Sequence, residues 1–596
     1  MCGFTGELSF NNIDNTLLKK ANNHSICRGP DNLTNHIENG ILNMSLWFNR
    51  LAIIDLSEKA NQPMISEDSN SILMFNGEIY NSENLRTDLK KNGYKFRTSH
   101  SDTETLLAGL DIFGIDFINQ LEGQFSFCYI NKIIKKVYFA RDRLGQKPLY
   151  IKINEKKITF CSNLKSILEL DKDVSIDQES IEQYVAYGIN FAPRTLFKTI
   201  QKINPATYLE IDYSDNKFIK KEKNYWEPDL YLNNKNFNYE NFQQLFSESV
   251  KKRTISDVPI ATFLSGGIDS TSIVKKLQDL GHSTNSFSVV VDNKTYNEKE
   301  FIDKVVNTYK TKHYETNIDS EISDEIINMS IKALDEPYSD PSVVPSYYLS
   351  KLISKKYKVA ISGDGGDELL GGYYRIKNHI QKKGFWKNSI SKLYFIYPAI
   401  LGSGTNLKSM SNNYKESYIS YLEDGKFFKL LFKKNISQDL RININHSGST
   451  YKTLLKTDYV HYLSDQMMFK VDRTSMSNSL EVRSPFVDHK LIEYIFSHDT
   501  DYFDRNNQKL PLKKYLSSDF NKYFLERPKQ GFVFDYKKWV FLNLDHIFNV
   551  INKSKANEYL NIKNLYKLRF FKTRMNSLRI WRIYVLACYL NDVSDS

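Results

Sequence analysis

The sequence predicts an α/β and α+β multidomain chain: stacked sheets first, then a doubly wound parallel sheet, then a mainly helical C-terminal part. Three observations predict this. Residues 1 to about 215 carry short alternating or β-branched runs broken by Gly and Asn. Further on, strand-like runs alternate with helical stretches, the pattern of a parallel sheet. From about residue 380 helical patterns dominate and no clear strand is read. At 596 residues with a 41% apolar share, the chain has material for several cores. The expected units are 1–215, a polar linker at 216–240, and 241–596.

In the first unit, "SILMFNGEIY", "GQFSFCYI", "KVYFARD" and "KITFCS" read as strands and "SENLRTDLKKNG" as a helix. Cysteine directly follows the initiator methionine. If the methionine is trimmed, Cys2 carries a thiol and a free α-amine, a nucleophile with its own base. In the last unit, "VPIATFLS", "TNSFSVVV" and "KVAISGD" read as parallel strands, with "STSIVKKLQDL" and "EKEFIDKVVNTYK" as helices.

Two glycine-rich loops follow these strands. Leu264-Ser265-Gly266-Gly267 leads into a helix near Asp269-Ser270, where backbone N–H groups and the helix dipole suit a phosphate. No Lys follows these glycines, so the loop is not the G-x-x-x-x-G-K-[ST] type, and Asp269 would instead suit Mg²⁺. Ser362-Gly363-Asp364 opens the second loop, which adds Asp367 and Glu368. Strand C-terminal ends share one crevice in such a sheet, so Asp269 and Asp367 are candidates to share metal.

Other features exclude function classes. Five cysteines, at 2, 27, 128, 161 and 588, form no C-x-x-C pair, which argues against a metal or disulfide framework. The net charge of +11 is spread along the chain with no basic arm, so no nucleic-acid partner is expected. Charged and polar residues arrive too early for a secretory leader, and "LYFIYPAILG" is far short of the ~20 residues of a membrane span. A cytoplasmic location is expected.

Nine motifs occur in the order seen in one family: Cys2, "RGPD" (28–31), "NRLAIID" (49–55), "NGEIYN" (76–81), "SDTE" (101–104), "RDRLGQKPLY" (141–150), "LSGGIDS" (264–270), "SGDGGDE" (362–368) and "LEVRSPFVDHKL" (480–491). On these motifs the chain resembles the glutamine-hydrolysing asparagine synthetase family over nearly its whole length. The resemblance implies an N-terminal-nucleophile glutaminase of αββα architecture, followed by an ATP-pyrophosphatase domain. It implies Cys2 as nucleophile, the Asn76 side chain and Gly77 N–H as oxyanion donors, and Arg50, Glu78 and Asp102 as glutamine-binding residues. It also implies that Leu264, Ser265, Gly266, Gly267, Asp269, Ser270, Ser362 and Gly363 hold ATP or pyrophosphate, with Mg²⁺ on Asp269 and Asp367. Lys509 would stabilise charge at an acyl-adenylate, and Asp364 stands where the asparagine-making branch has a general-base Glu. Small-molecule partners follow (glutamine, ATP, a carboxylate acceptor), with a homodimer as the family's common assembly.

Three departures stand out. Cys27 replaces the usual His before "RGPD", Asp364 is one methylene shorter than Glu, and "DEPYSDPSVVPSYYLSK" lacks the arginine that helps bind aspartate in that branch. Aspartate is the leading acceptor expectation. A uronic acid or other sugar carboxylate of surface-polysaccharide assembly is the alternative. An inactive glutamine or nucleotide sensor is the non-enzymatic one, opposed by the retention of Cys2, Arg50, Asn76, Asp102, Asp269 and Asp367.

Overall fold

The computed structural model describes residues 2–172, 174–227, 237–290, 298–317, 323–381, 385–442, 444, 450–498, 508–527 and 534–595. Two six-stranded antiparallel sheets build the amino-terminal part. The first runs Gln201–Lys202, Tyr150–Ile153, Lys157–Cys161, Gly3–Ser9, Asn43–Arg50, Asn32–Glu38. The second runs Ile219–Asn224, Thr207–Asp212, Lys136–Arg141, Gly123–Asn131, Ser71–Ile79, Met64–Ile65.

Strand alternation dictates the layering. Ile72 and Met74 enter the core between the sheets, against Phe4, Leu46 and Phe48 of the first sheet. Their neighbours Leu73 and Phe75 face the opposite way, onto Leu85, Leu89, Leu106 and Leu110 of the Ser82–Lys91 and Asp102–Phe113 helices. Helices Asn15–Asn22 and Leu164–Leu170 pack on the first sheet. The layer order is helix, sheet, sheet, helix, as the resemblance implied.

The carboxyl-terminal part holds a five-stranded parallel sheet in the order Lys312–Asn317, Asn285–Val290, Ile260–Phe263, Val359–Ile361, Glu481–Arg483. From Ile260–Phe263 the chain winds outward one way, then returns to the other side of that strand at Val359–Ile361. The strand order therefore reverses between these two strands, and crevices at such reversals bind ligands. Both glycine-rich loops leave the sheet there.

Two expectations are corrected. The stretch read as a linker contains the Ile219–Asn224 strand, which pairs with Thr207–Asp212 and extends the second sheet past residue 215. All six of its residues are exposed and four are charged (Lys220, Lys221, Glu222, Lys223), so no apolar alternation betrays it. Residues 228–236 of that stretch lie outside the described residues. The part beyond 380 is mainly helical, yet it supplies the Glu481–Arg483 strand that completes the parallel sheet. A three-residue strand with two charged members carries no strand pattern, and its burial comes wholly from tertiary contacts.

Candidate active sites

The amino-terminal centre forms where Gly3–Ser9 begins, beside Ser71–Ile79. Cys2 is buried, its backbone N–H donates to Asn76 Oδ1 at 3.1 Å, and its thiol lies against the Leu51 backbone. Burial pushes the thiol pKa up, while the chain's amino-terminal charge and the Arg50 guanidinium pull it down. Asn76 is fully buried, and with Oδ1 committed to Cys2 its Nδ2 has no hydrogen-bond partner among the described residues. A buried amide donor without an acceptor is costly, so Nδ2 is prepared for an oxygen that arrives with a ligand. Gly77 follows because a Cβ there would stand 2.1 Å from the Gln124 carbonyl oxygen of the paired strand.

Arg50 is held by the 54–61 loop: Nη1 donates to Ser57 O and Asn61 Oδ1, both at 2.8 Å, and Nη2 to Ile54 O and Asp55 O. Among the described residues it forms no ion pair with a carboxylate, and its charge reaches Cys2. Asp102 opens the Asp102–Phe113 helix and accepts from Ile79 N at 3.0 Å. Burial pushes its carboxyl up to about 6, against the lowering effect of the Ile79 and Thr103 N–H groups. Glu78 is raised well above the usual carboxylate range by burial and by the charge of Glu481, although Arg483 Nη2 lies 3.3 Å from its Oε1.

The second centre is a cavity of about 380 Å³ at the strand-order reversal. Gly267 precedes the Ile268–Asp279 helix, whose N-terminus meets the cavity. Gly266 takes a left-handed φ of 68°, and a Cβ there would stand 2.8 Å from Ile302 N. Ser270 Oγ knots the loop by accepting from Ser265 N and donating to Gly267 O. Leu264 is buried behind it and its N–H donates to Phe287 O at 2.9 Å. The opposing loop comes close: a Cβ on Gly363 would lie 3.1 Å from Asp269 Cβ. Ser362 N donates to Arg483 O at 2.9 Å, and Asp364 lines the cavity with its carbonyl accepting from Ser484 Oγ.

Asp269 and Asp367 converge on one cation, the Lys509 ammonium, which touches Asp269 Oδ2 and lies 2.6 Å from Asp367 Oδ1. The two carboxylates hold that ammonium and raise its pKa despite burial. Every residue expected at this centre lines this one cavity except Gly266, which makes the turn between two lining residues, Ser265 and Gly267.

Side chains that sequence reading did not single out join the two centres. Arg28 Nε donates to Cys2 O at 3.1 Å, and its Nη atoms pair with both Asp472 oxygens at 2.8 and 3.1 Å. Asp472 also faces Lys147 and Arg473, and these cations hold its carboxyl well below the usual range. Gln124 and Arg483 both bond Glu481. A small cavity of about 10 Å³ lies among Gln124, Lys147, Ser362, Asp472, Val482 and Ser484. "RGPD" and "LEVRSP" were visible as motifs, but nothing in one sequence pairs positions 444 residues apart. The large cavity is also lined by Asp340, Ser342, Tyr373, Tyr462 and Lys470, with Lys470 Nζ 3.2 Å from Ser342 Oγ.

Comparison with known proteins gives concordant results. Residues 241–585 match the family described as Asparagine synthase, and residues 1–226 match the Glutamine amidotransferase domain. "Asparagine synthetase [glutamine-hydrolyzing] 1" of Bacillus subtilis is 29% identical over 629 aligned positions, covering 98% of this chain and 96% of the relative. A Methanocaldococcus jannaschii protein of like but provisional designation is 31% identical, covering 80% of this chain and 98% of its own length. "Asparagine synthetase [glutamine-hydrolyzing] 3" of Bacillus subtilis is 26% identical over 89% of this chain and 87% of its own length.

Proposed function

The chain belongs to the asparagine synthase family and is a glutamine-hydrolysing carbon–nitrogen ligase that uses ATP; from that premise we propose that it amidates aspartate to asparagine in the cytoplasm. The overall reaction consumes glutamine, ATP, aspartate and water, and yields asparagine, glutamate, AMP and pyrophosphate.

At the first centre, with Met1 removed, the Cys2 α-amine takes the thiol proton as sulfur attacks the glutamine side-chain amide. The oxyanion gains the Asn76 Nδ2 and Gly77 N–H donors, each worth ~3 kcal/mol. Arg50 takes the α-carboxylate, and Asp102 with Glu78 the ammonium. The amine returns its proton to the leaving ammonia, and water then releases glutamate from the thioester.

At the second centre the 264–270 loop and the helix N-terminus receive the ATP phosphates. The residues present fit Mg²⁺: Asp269 and Asp367 offer hard oxygen donors from two loops, and both already grip a single positive charge. Mg²⁺ bound there would neutralise charge on the pyrophosphate leaving group. The acceptor carboxylate attacks the α-phosphorus, and pyrophosphate leaves. Ammonia then attacks the acyl carbon, AMP departs, and Asp364, on the cavity wall, takes the excess proton. Lys509 supplies charge to the acyl-adenylate and pyrophosphate oxygens.

The observation that carries the aspartate reading is the mixed charge at the acceptor end: Lys470 for a carboxylate, with Asp340 and Glu368 for an ammonium. A second reading rests on the same wall, where Tyr373, Tyr374 and Tyr462 beside Ser342 and Ser346 suit the ring face and hydroxyls of a sugar carboxylate. Pyrophosphate release from Mg²⁺-ATP and glutamine, with aspartate or nucleotide-linked uronic acids and masses of the products, separates the two. Release with aspartate and formation of asparagine supports the first. Release only with a sugar acid refutes it in favour of the second.

A further inference from the structure

Residues 369–415 contain eight Lys or Arg and no Asp or Glu, in a chain whose 596 residues include 70 acids. The same stretch carries the barest apolar side chains of the described surface. Phe395 is 83% exposed, Trp386 and Ile396 are each 78% exposed, and Leu393 is 50% exposed. They stand on the Phe385–Ser391 helix and the Lys392–Ile396 turn, which pack on each other and on the Thr405–Lys408 turn. The Lys392–Ile396 turn buries none of its residues. Such side chains stand out as a ridge, and a folded core gains nothing from them.

Cations surround the ridge. Lys408 and Lys426 lie 5.3 and 4.5 Å from the Tyr394 ring centre, and Lys426 Nζ donates to Phe395 O. Lys387 and Lys392 interleave with the apolar residues in sequence. The acids near Tyr394, Glu423 and Asp424, are buried and paired with Arg441 at 3.5 Å and Arg579 at 2.7 Å, and the exposed Glu416, whose charge reaches Lys408, is outnumbered by the lysines around the ridge. No helix among the described residues is long and apolar enough to cross a membrane.

We propose that this ridge docks the enzyme on the headgroup layer of an anionic bilayer. Phe395, Ile396, Leu393 and Trp386 enter the acyl boundary, and the lysines meet lipid phosphates. Interleaved aromatic and basic residues on a protruding ridge fit that layer better than a protein groove, which would require a complementary acidic cleft. Tyr373 and Tyr374 line the large cavity and precede the ridge in the chain.

The test is flotation of the full chain with phosphatidylcholine vesicles and with vesicles that also contain phosphatidylglycerol. The expected result is flotation with the anionic vesicles, weakened by salt and much reduced on neutral ones. Lys387→Glu/Lys392→Glu should weaken partition at least ~20-fold, from roughly fivefold per lysine. Phe395→Ser/Ile396→Ser should abolish it, with amidation in vesicle-free buffer unchanged for both variants. Absence of flotation on anionic vesicles overturns the proposal, as does flotation that neither variant alters. Sedimentation showing a dimer that Phe395→Ser/Ile396→Ser dissociates, without vesicle binding, overturns it in favour of a second copy of the chain.

Discussion

Replacing Asn76 by Asp is the sharpest probe of the amino-terminal centre, because it alters one group and almost no volume. Asn76 Oδ1 accepts from Cys2 N, and its Nδ2 is buried without a partner. The aspartate variant keeps an acceptor for Cys2 N but loses the N–H that faces the arriving oxygen, and it places negative charge where an oxyanion must form. Loss of one oxyanion donor costs ~3 kcal/mol of transition-state stabilisation, a fall of ~100- to 1000-fold in kcat for glutamine hydrolysis. Asn76→Ala should fall as far, and it also loses the Cys2 N–H bond, worth about 1 kcal/mol of stability. Glutamate release reports the first centre, and AMP formation with ammonium salts in place of glutamine reports the second. Ammonia-supported AMP formation should stay within about twofold of the parent, since ~0.4 kcal/mol is the scale of an indirect effect. Glutamine hydrolysis retained within about fivefold in Asn76→Asp would refute the assignment of Nδ2, because one missing donor is worth far more. An equal fall in ammonia-supported activity would refute the claim that Asn76 serves only the first centre.

Four further outcomes follow from the geometry. Lys509→Met should lower ATP–pyrophosphate exchange by ~100- to 1000-fold while glutamine hydrolysis persists, since it removes the cation between Asp269 and Asp367. Asp472→Ala leaves Arg28, Lys147 and Arg473 without their shared carboxylate and should cost ~3–5 kcal/mol in denaturant unfolding. Asp102 has its carboxyl raised from 3.8 to about 6, so between those values the folded chain holds a proton that the unfolded chain has released. Its contribution to stability therefore falls as pH rises across that window, by up to about 3 kcal/mol, and is flat above it. The ionised carboxylate that binds glutamine appears over the same range, so kcat/KM for glutamine should rise between about pH 5 and 7, and Asp102→Asn should erase that rise. Gly77→Ala should abolish glutamine hydrolysis, because its Cβ would meet the Gln124 carbonyl, and circular dichroism with ammonia-supported activity would show whether the second centre survives.

What sequence made legible was local chemistry. The loops at 264–270 and 362–368 announce themselves because glycine, serine and aspartate follow apolar strands, and the fold brings them to one strand-order reversal. Cys2 and Asn76-Gly77 were legible as motifs, and strand pairing explains their meeting. Long-range charge pairing was not legible. Arg28 stands in the "RGPD" motif and Asp472 in no motif, and nothing in the sequence pairs them, yet both are buried and bond one another across the halves. Glu481 and Arg483 were missed as strand residues for the same reason: charged residues predict exposure unless their partners are known. Ile219–Asn224 escaped because an exposed edge strand of lysines has no apolar alternation.

The Glu481–Arg483 strand bears on how such a two-centre ligase can be rebuilt. Its backbone finishes the nucleotide-binding sheet beside Val359–Ile361, while alternation sends Glu481 and Arg483 together toward Glu78 and Gln124. An amino-terminal half grafted onto a synthetase without this arginine would inherit Glu78 without its guanidinium neighbour, a buried glutamate stripped of its counter-ion. Chimeras joined at the connecting stretch must therefore carry this tripeptide with the amino-terminal half, although it lies more than 200 residues further along the chain. Acceptor loops can diverge one substitution at a time, whereas this seam changes only by matched replacements on both sides.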